Sequence, residues 1–113
     1  MLVGASAMKL LDSKIEGSTI TFTFEGDQVL KAENYGAGDK HWYLNGKFHR
    51  EDGPAIEWAN GDKYWYLNGK LHREDGPAIE YADGDKQWYL NGTRLTEDKY
   101  DEAKMLKKLK QLG

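Results

Sequence analysis

The chain has 113 residues, 39% apolar and 12% aromatic, with a formal charge of −3 and no cysteine. That length suits one domain. The acidic balance provides no general pull on nucleic acid or anionic membrane, and the lack of cysteine rules out disulfides, thiol nucleophiles and cysteine-based zinc sites and fits a cytoplasmic setting.

Apolar residues are few, but four Trp and seven Tyr are among them. The core is therefore expected to consist of large rings, each burying much area. Residues 1–7, MLVGASA, have neither a basic leader nor a long apolar stretch, so they do not read as a signal peptide. Met8 begins a second start, MKLLDSKIEG, and the folded chain is expected from there. No apolar run is long enough to span a bilayer.

Residues 18–24, STITFTF, alternate strictly: Ile20, Phe22 and Phe24 share one face, and Thr19, Thr21 and Thr23 the other. This pattern predicts a half-buried strand. Glu25-Gly26-Asp27 turns the chain, and Gln28 to Ala32 return as a second strand. Residues 32–37 align with the end of the unit that follows and read as a degenerate half repeat, as expected of a cap.

Residues 38–60 read GDKHWYLNGKFHREDGPAIEWAN and residues 61–83 read GDKYWYLNGKLHREDGPAIEYAD, differing at four of 23 positions. A partial third copy, GDKQWYLNG, begins at Gly84. An exact period without insertions marks a unit stacked on itself. Function must then lie on a surface the copies build together, or where they differ. Within a unit, Lys40 to Leu44 is a strand, and Asn45-Gly46 is a strong signal for a two-residue type I′ hairpin. Lys47 to His49 return, Glu51-Asp52-Gly53-Pro54 breaks the ladder, and Ala55 to Trp58 resume. The expected fold is an all-β repeat: an antiparallel hairpin meander with an N-terminal hairpin and a C-terminal helix. Its parts are a hairpin and half repeat over 8–37, repeats over 38–95 and a helix over 96–113, in one folded domain.

Two strands per unit put equivalent residues roughly 9–10 Å apart. Trp42, Trp65 and Trp88 then form one column. Tyr43, Tyr66 and Tyr89 form another on the opposite face. Both faces are partly apolar, which invites association, including with a second copy. After Thr96 the chain reads TEDKYDEAKMLKKLKQL, with a cap residue, early acids, late lysines and Gly113 at its end, all helix signals. Leu95, Tyr100, Ala103, Leu106 and Leu109 approximate a stripe that is expected to cover one sheet face.

The unit WYLNGKLHREDGPAIEYADGDK resembles the variant MORN repeat, and RLTEDKYDEAK resembles the close of such arrays in small proteins of bacteriophages and large DNA viruses. The resemblance spans residues 32 to 100. It implies elongated strips of β-hairpins that bind proteins, and in some members lipids. Where the common pattern has a second glycine, this chain has His49-Arg50 and His72-Arg73.

The sets His49-Arg50-Glu51-Asp52 and His72-Arg73-Glu74-Asp75 hold the residue types of catalysis. His49 and His72 stand a full unit apart, too far to share an ion with bonds of about 2.0–2.2 Å. Acid–base catalysis needs one pocket with perturbed groups, whereas this set occurs twice and is lost in the third copy. A structural ladder explains the duplication better, with Arg paired to Glu or Asp and His bonded to loop backbone. No catalytic residue, cofactor or metal is assigned. The expected function is non-enzymatic: binding and modulating a host protein. Through the resemblance, that implies a viral protein acting in the host cytoplasm on a defence component such as a CRISPR effector. Alternatives are a binder that sequesters a nucleotide signal between rings and Arg, and a membrane-associated organiser. Candidate binding residues are Tyr43, Tyr66 and Tyr89, with Arg50 and Arg73 at their margin, because Tyr and Arg dominate interface energetics.

Overall fold

The computed structural model describes residues 9–26, 28–35 and 38–112. The readings above for residues 1–8, Asp27, residues 36–37 and Gly113 lie outside them. Among the described residues, the chain is a meandering antiparallel sheet followed by one helix. Three long strands come first: β1 (Leu10–Glu16), β2 (Thr19–Phe24) and β3 (Gln28–Tyr35). The remaining strands are β4 (Asp39–Leu44), β5 (Lys47–Phe48), β6 (Ile56–Glu57), β7 (Lys63–Tyr64), β8 (Tyr66–Leu67), β9 (Lys70–Leu71), β10 (Ile79–Glu80), β11 (Lys86–Leu90) and β12 (Thr93–Leu95). The helix α1 spans Glu97–Leu112. β1 was not expected, and the predicted return over Gln28 to Ala32 runs on to Tyr35.

The turns follow from backbone chemistry. Asn45, Asn68 and Asn91 have φ of 53°, 50° and 49°, and Gly46, Gly69 and Gly92 have 80°, 79° and 83°. Positive φ at both central positions is the type I′ turn, whose twist suits a hairpin. The Gly-Asp pairs do different work. Asp39 Oδ1 accepts from Ala59 N–H at 2.6 Å, and Asp62 Oδ1 accepts from Ala82 N–H at 2.7 Å. Each aspartate thus ties down the turn that ends its own unit.

In the first two copies the strand returning from the Asn-Gly turn is interrupted at the level of the tryptophan. β5 ends at Phe48, the chain leaves the sheet, and it rejoins at β6. Trp42 spans the gap with its backbone. Its N–H donates to Ala55 O at 2.8 Å, and its C=O accepts from His49 N–H at 3.1 Å. Trp65 does the same with Ala78 (2.7 Å) and His72 (3.0 Å). On the far side, Arg50 N–H donates to Tyr66 O at 3.1 Å and Ala55 N–H to Tyr64 O at 2.9 Å, so the broken strand still pairs with the next.

Register sorts the side chains into two faces. Ile20 faces Ala32, which faces Trp42. His41 faces Ile56, which faces Tyr64. The first set lies on the tryptophan face and the second, one residue out of phase, on the tyrosine face. The molecule measures 43 × 38 × 17 Å, and that smallest dimension leaves room for little beyond one sheet and one helix.

The core therefore differs from the ring-built one expected. The buried apolar residues are Ala55, Ile56, Ala78, Ile79 and Tyr100, with His49 beside them, while Trp58 is 39% exposed. In a single layer a large ring lies against its neighbours and keeps one side toward water. The helix also covers less than its stripe predicts. Tyr100 is buried, but Leu106 and Leu109 are 53% and 57% exposed. The helix side carrying Lys104, Lys107 and Lys108 borders the Glu74 loop instead, and Lys107 pairs with Glu74. The buried Tyr100 and the Lys107–Glu74 pair together set the helix's rotation. No helix among the described residues is long and apolar enough to cross a membrane.

Replacing Asn68 by Pro and Gly69 by Val together removes both residues able to hold the turn at φ of 50° and 79°. The expected outcome in thermal denaturation is a loss of about 10 °C or more, since each kcal/mol shifts a domain of this size by roughly 4–8 °C. An unchanged melting temperature would reject the turn as a determinant of the fold.

Candidate functional site

Two surfaces concentrate the chain's unusual chemistry, one on each face. On the tryptophan face, residues 50–54 and 73–77 form the excursions that interrupt the sheet. Arg50 folds back over Trp42, its guanidinium carbon 4.6 Å from the ring centroid. Its Nε donates to Asp52 at 2.9 Å, and Nη1 donates to Pro54 O at 3.3 Å and Glu57 at 3.4 Å. Arg73 repeats this over Trp65 at 3.9 Å, with Asp75 at 2.7 Å, Pro77 O at 3.0 Å and Glu80 at 2.6 Å. Gly53 and Gly76 leave space for the guanidinium. A Cβ at Gly76 would stand 3.0 Å from the Arg73 guanidinium carbon, and one at Gly53 3.1 Å from that of Arg50. A side chain at either glycine would push the guanidinium outward by a few tenths of an ångström.

The histidines join one copy to the next. His49 Nδ1 accepts from Asn68 N–H at 2.9 Å, and His72 Nδ1 accepts from Asn91 N–H at 2.9 Å. A backbone N–H can only donate, so the ring proton sits on Nε2. That atom faces Glu51 at 3.5 Å in the first copy and Glu74 at 3.4 Å in the second. The expected ladder, with Arg on carboxylates and His on backbone, is what these bonds form. Burial opposes the charge on Arg73, but Asp75 and Glu80 outweigh it, so its pKa rises. Arg50 holds the Asp52 carboxyl below its usual range, and Arg73 does the same for Asp75. Lys107, then His72, lower Glu74. Between the two excursions lies an open cleft of about 550 Å3, lined by Arg50, Trp65, His72 and Arg73 and by Glu51, Asp52, Glu74 and Asp75. Its four carboxylates make it a poor seat for phosphate.

On the tyrosine face, rings touch in sequence. Trp58 packs edge-on to His41 at 5.2 Å, His41 meets Phe48 at 5.7 Å and Tyr43 at 6.3 Å, Tyr43 stacks on Phe48 at 4.9 Å, and Phe48 meets Tyr66 at 5.3 Å. Tyr64 and Tyr81 form a further pair at 6.3 Å. The tyrosines are half-buried. Burial raises the pKa of Tyr43, Tyr64 and Tyr66, so they remain neutral donors at physiological pH.

Of the candidate binding residues, Tyr43 and Tyr66 lie in this ribbon. Tyr89 lies on the same face, and its hydroxyl donates to Gln87 at 3.3 Å. Arg50 and Arg73 do not border it. They lie on the other side of the sheet, because their excursion leaves at the tryptophan and the indole draws the guanidinium. The sequence reading also passed over His41, Phe48 and Trp58 as ribbon members. The signal was present: these are three of the four positions at which the two copies differ. Among the described residues, no group of three or more His, Cys, Asp or Glu could hold a metal ion. Comparison with protein-family models, curated proteins and solved structures found no match.

Arg73→Ala removes a cation–π contact and charge-assisted hydrogen bonds, and is expected to cost about 2–3 kcal/mol in urea denaturation. An effect below about 0.5 kcal/mol, the size typical of a surface change, would mean that the excursion holds itself without the arginine. Acid should act in the same direction. The folded pKa values of Asp52, Glu74 and Asp75 are depressed, so their contribution is present above the unfolded carboxylate range near about 4 and fades as pH falls through the lower folded values. Urea midpoints at pH 7 and pH 3 measure this. Lys107→Ala should shrink the difference by removing the main cause of the Glu74 shift.

Proposed function

We propose that the chain is a non-enzymatic binding module of the MORN-like hairpin-repeat type, which engages a protein partner through the tyrosine face. One observation carries the reading. Three of the four positions at which the copies differ, His41, Phe48 and Trp58, meet at the His41 ring, beside Tyr43, on one half-exposed aromatic ribbon. Differences between otherwise matching copies single out one locality on a repeating surface. Half-buried Tyr and Trp rings held by their neighbours offer contact area at small entropic cost, which is the character of interface anchors. The opposite face favours partner binding less, because its arginines are already committed to carboxylates and carbonyls.

The sequence resemblance extends this reading to a virus-encoded protein that binds and modulates a host protein, including a component of host defence. The nucleotide-sequestering alternative has less support, since the cleft beside Arg50 and Arg73 is lined by four carboxylates. No specific observation favours the membrane reading.

The test is affinity capture from host lysate with the unmodified chain, followed by binding measurements on the captured protein. Tyr66→Ala is expected to weaken that binding by about 2 kcal/mol or more, in the range of interface hot spots, while Lys107→Glu on α1 leaves it unchanged. The reverse pattern would make the helix the recognition element and the sheet its scaffold.

A further inference from the structure

The third copy leaves the sheet unfinished on one side. β11 pairs with β10 along Lys86–Gln87 and, from Trp88 onward, with β12 on its other side. Beyond Lys86 and Gln87 on that other side, no strand follows among the described residues. In the first two copies this place is filled. Ile56 stands opposite His41 and Glu57 opposite Lys40, with Ala55 O accepting from Trp42 N–H at 2.8 Å. In the second copy Ala78 O accepts from Trp65 N–H at 2.7 Å. The third copy departs after Gly92, and the positions one and two periods on from Ala78 and Ala55 fall on Asp101, inside α1. Position 96, where Arg50 and Arg73 have their equivalents, is Thr, whose Oγ1 instead caps the helix by accepting from Lys99 N–H at 3.2 Å. A cleft of about 280 Å3 remains, lined by Lys86, Trp88, Arg94, Leu95, Thr96 and Glu97, with Gln87 between.

We propose that this open edge of β11, Lys86–Gln87, accepts an extended segment of a partner protein in which a β-branched aliphatic residue is followed by a carboxylate. The chemistry is specified by the chain itself. The same strand is paired by Ala55-Ile56-Glu57 and Ala78-Ile79-Glu80 in the earlier copies, so the edge fits that sequence type in antiparallel register. The aliphatic residue lies opposite Gln87 and the carboxylate opposite Lys86, whose outward backbone N–H and C=O make the pairing, since Trp88 is already paired with Leu95 of β12. Charge points the same way. Lys63 stands between Glu57 and Glu80 in the sheet, whereas Lys86 has Glu80 on one side alone. An incoming carboxylate restores the arrangement around Lys63. An arginine upstream of the segment would reach the Trp88 ring as Arg73 reaches Trp65. Strand addition of this kind takes its affinity from main-chain hydrogen bonds and its selectivity from alternate side chains. The site is separate from the aromatic ribbon and does not depend on the function proposed for it.

The probe is a synthetic peptide copying residues 73–81, titrated into the full chain by calorimetry, with amide hydrogen exchange read at Lys86. Binding heat and slowed exchange at Lys86 are expected. Lys86→Glu should weaken binding at least tenfold, and a peptide with Lys in place of the glutamate corresponding to Glu80 should restore it. Lys86→Pro, tolerated at the first residue of a strand, should also abolish binding, because it removes an edge donor while the pairing to β10 continues at Gln87. Circular dichroism and the melting temperature of each variant establish that it is folded. No heat at millimolar peptide, or binding that neither substitution alters, would overturn the proposal. Self-association that Lys86→Glu abolishes, without peptide binding, would assign the edge to a second copy and overturn it equally.

Discussion

An arginine lying on a tryptophan holds open a break in the sheet, and much of the molecule follows from that contact. A strand that leaves its ladder for five residues exposes backbone groups on both neighbours, which is costly unless something satisfies them. Trp42 and Trp65 do so with their own N–H and C=O, one to each side of the break. The loop is then secured from above. The guanidinium covers the indole, binds the proline carbonyl of its own loop and reaches the glutamate on the resumed strand. The glycine provides space, and the proline needs no donor. Six consecutive residues, His-Arg-Glu-Asp-Gly-Pro, thus have individual mechanical reasons to be present.

That same economy commits them to one another. The arginines are occupied, the aspartates are held ionised, and each histidine accepts a backbone N–H from the following copy. A cluster with the composition of an active site is, in its geometry, a fastening. The cleft between the two fastenings has opposite charges on its walls already neutralising one another. The aromatic side of the sheet carries many half-covered rings, whose further covering would exclude water.

The fold was legible wherever a local rule acts without competition. Asn-Gly imposes its turn in all three copies. The alternation of STITFTF gives its strand, and Thr96 caps the helix. Legibility failed where a decision depends on partners far along the chain. Leu10–Glu16 carries a charge or hydroxyl at Asp12, Ser13, Lys14 and Glu16, and joins the sheet because β2 offers an edge to pair with. The helix has apolar residues on more than one side, so its stripe did not say which side would pack. Lys107 meeting Glu74, and the Tyr100 hydroxyl donating to Arg73 O while accepting from Gly76 N–H, set that rotation. For the candidate site, the tyrosine column could be read from strand alternation, but the side to which Arg50 and Arg73 fold could not. That choice depends on a loop returning over its own tryptophan. The contribution of His41, Phe48 and Trp58 was encoded as deviation from the repeat, which becomes meaningful once the deviating residues are seen to touch.

The ties within and between copies have nearly the same reach. His49 to Asn68 and His72 to Asn91 span 19 residues, and Asp39 to Ala59 and Asp62 to Ala82 span 20. No such tie skips over a copy. A gene duplication that inserted another 23 residues would therefore leave every bond with an equivalent partner and add one more set. The length of this sheet is a quantity that inheritance can change in whole steps, each lengthening the aromatic ribbon by about 9–10 Å, without the molecule having to solve its folding problem again.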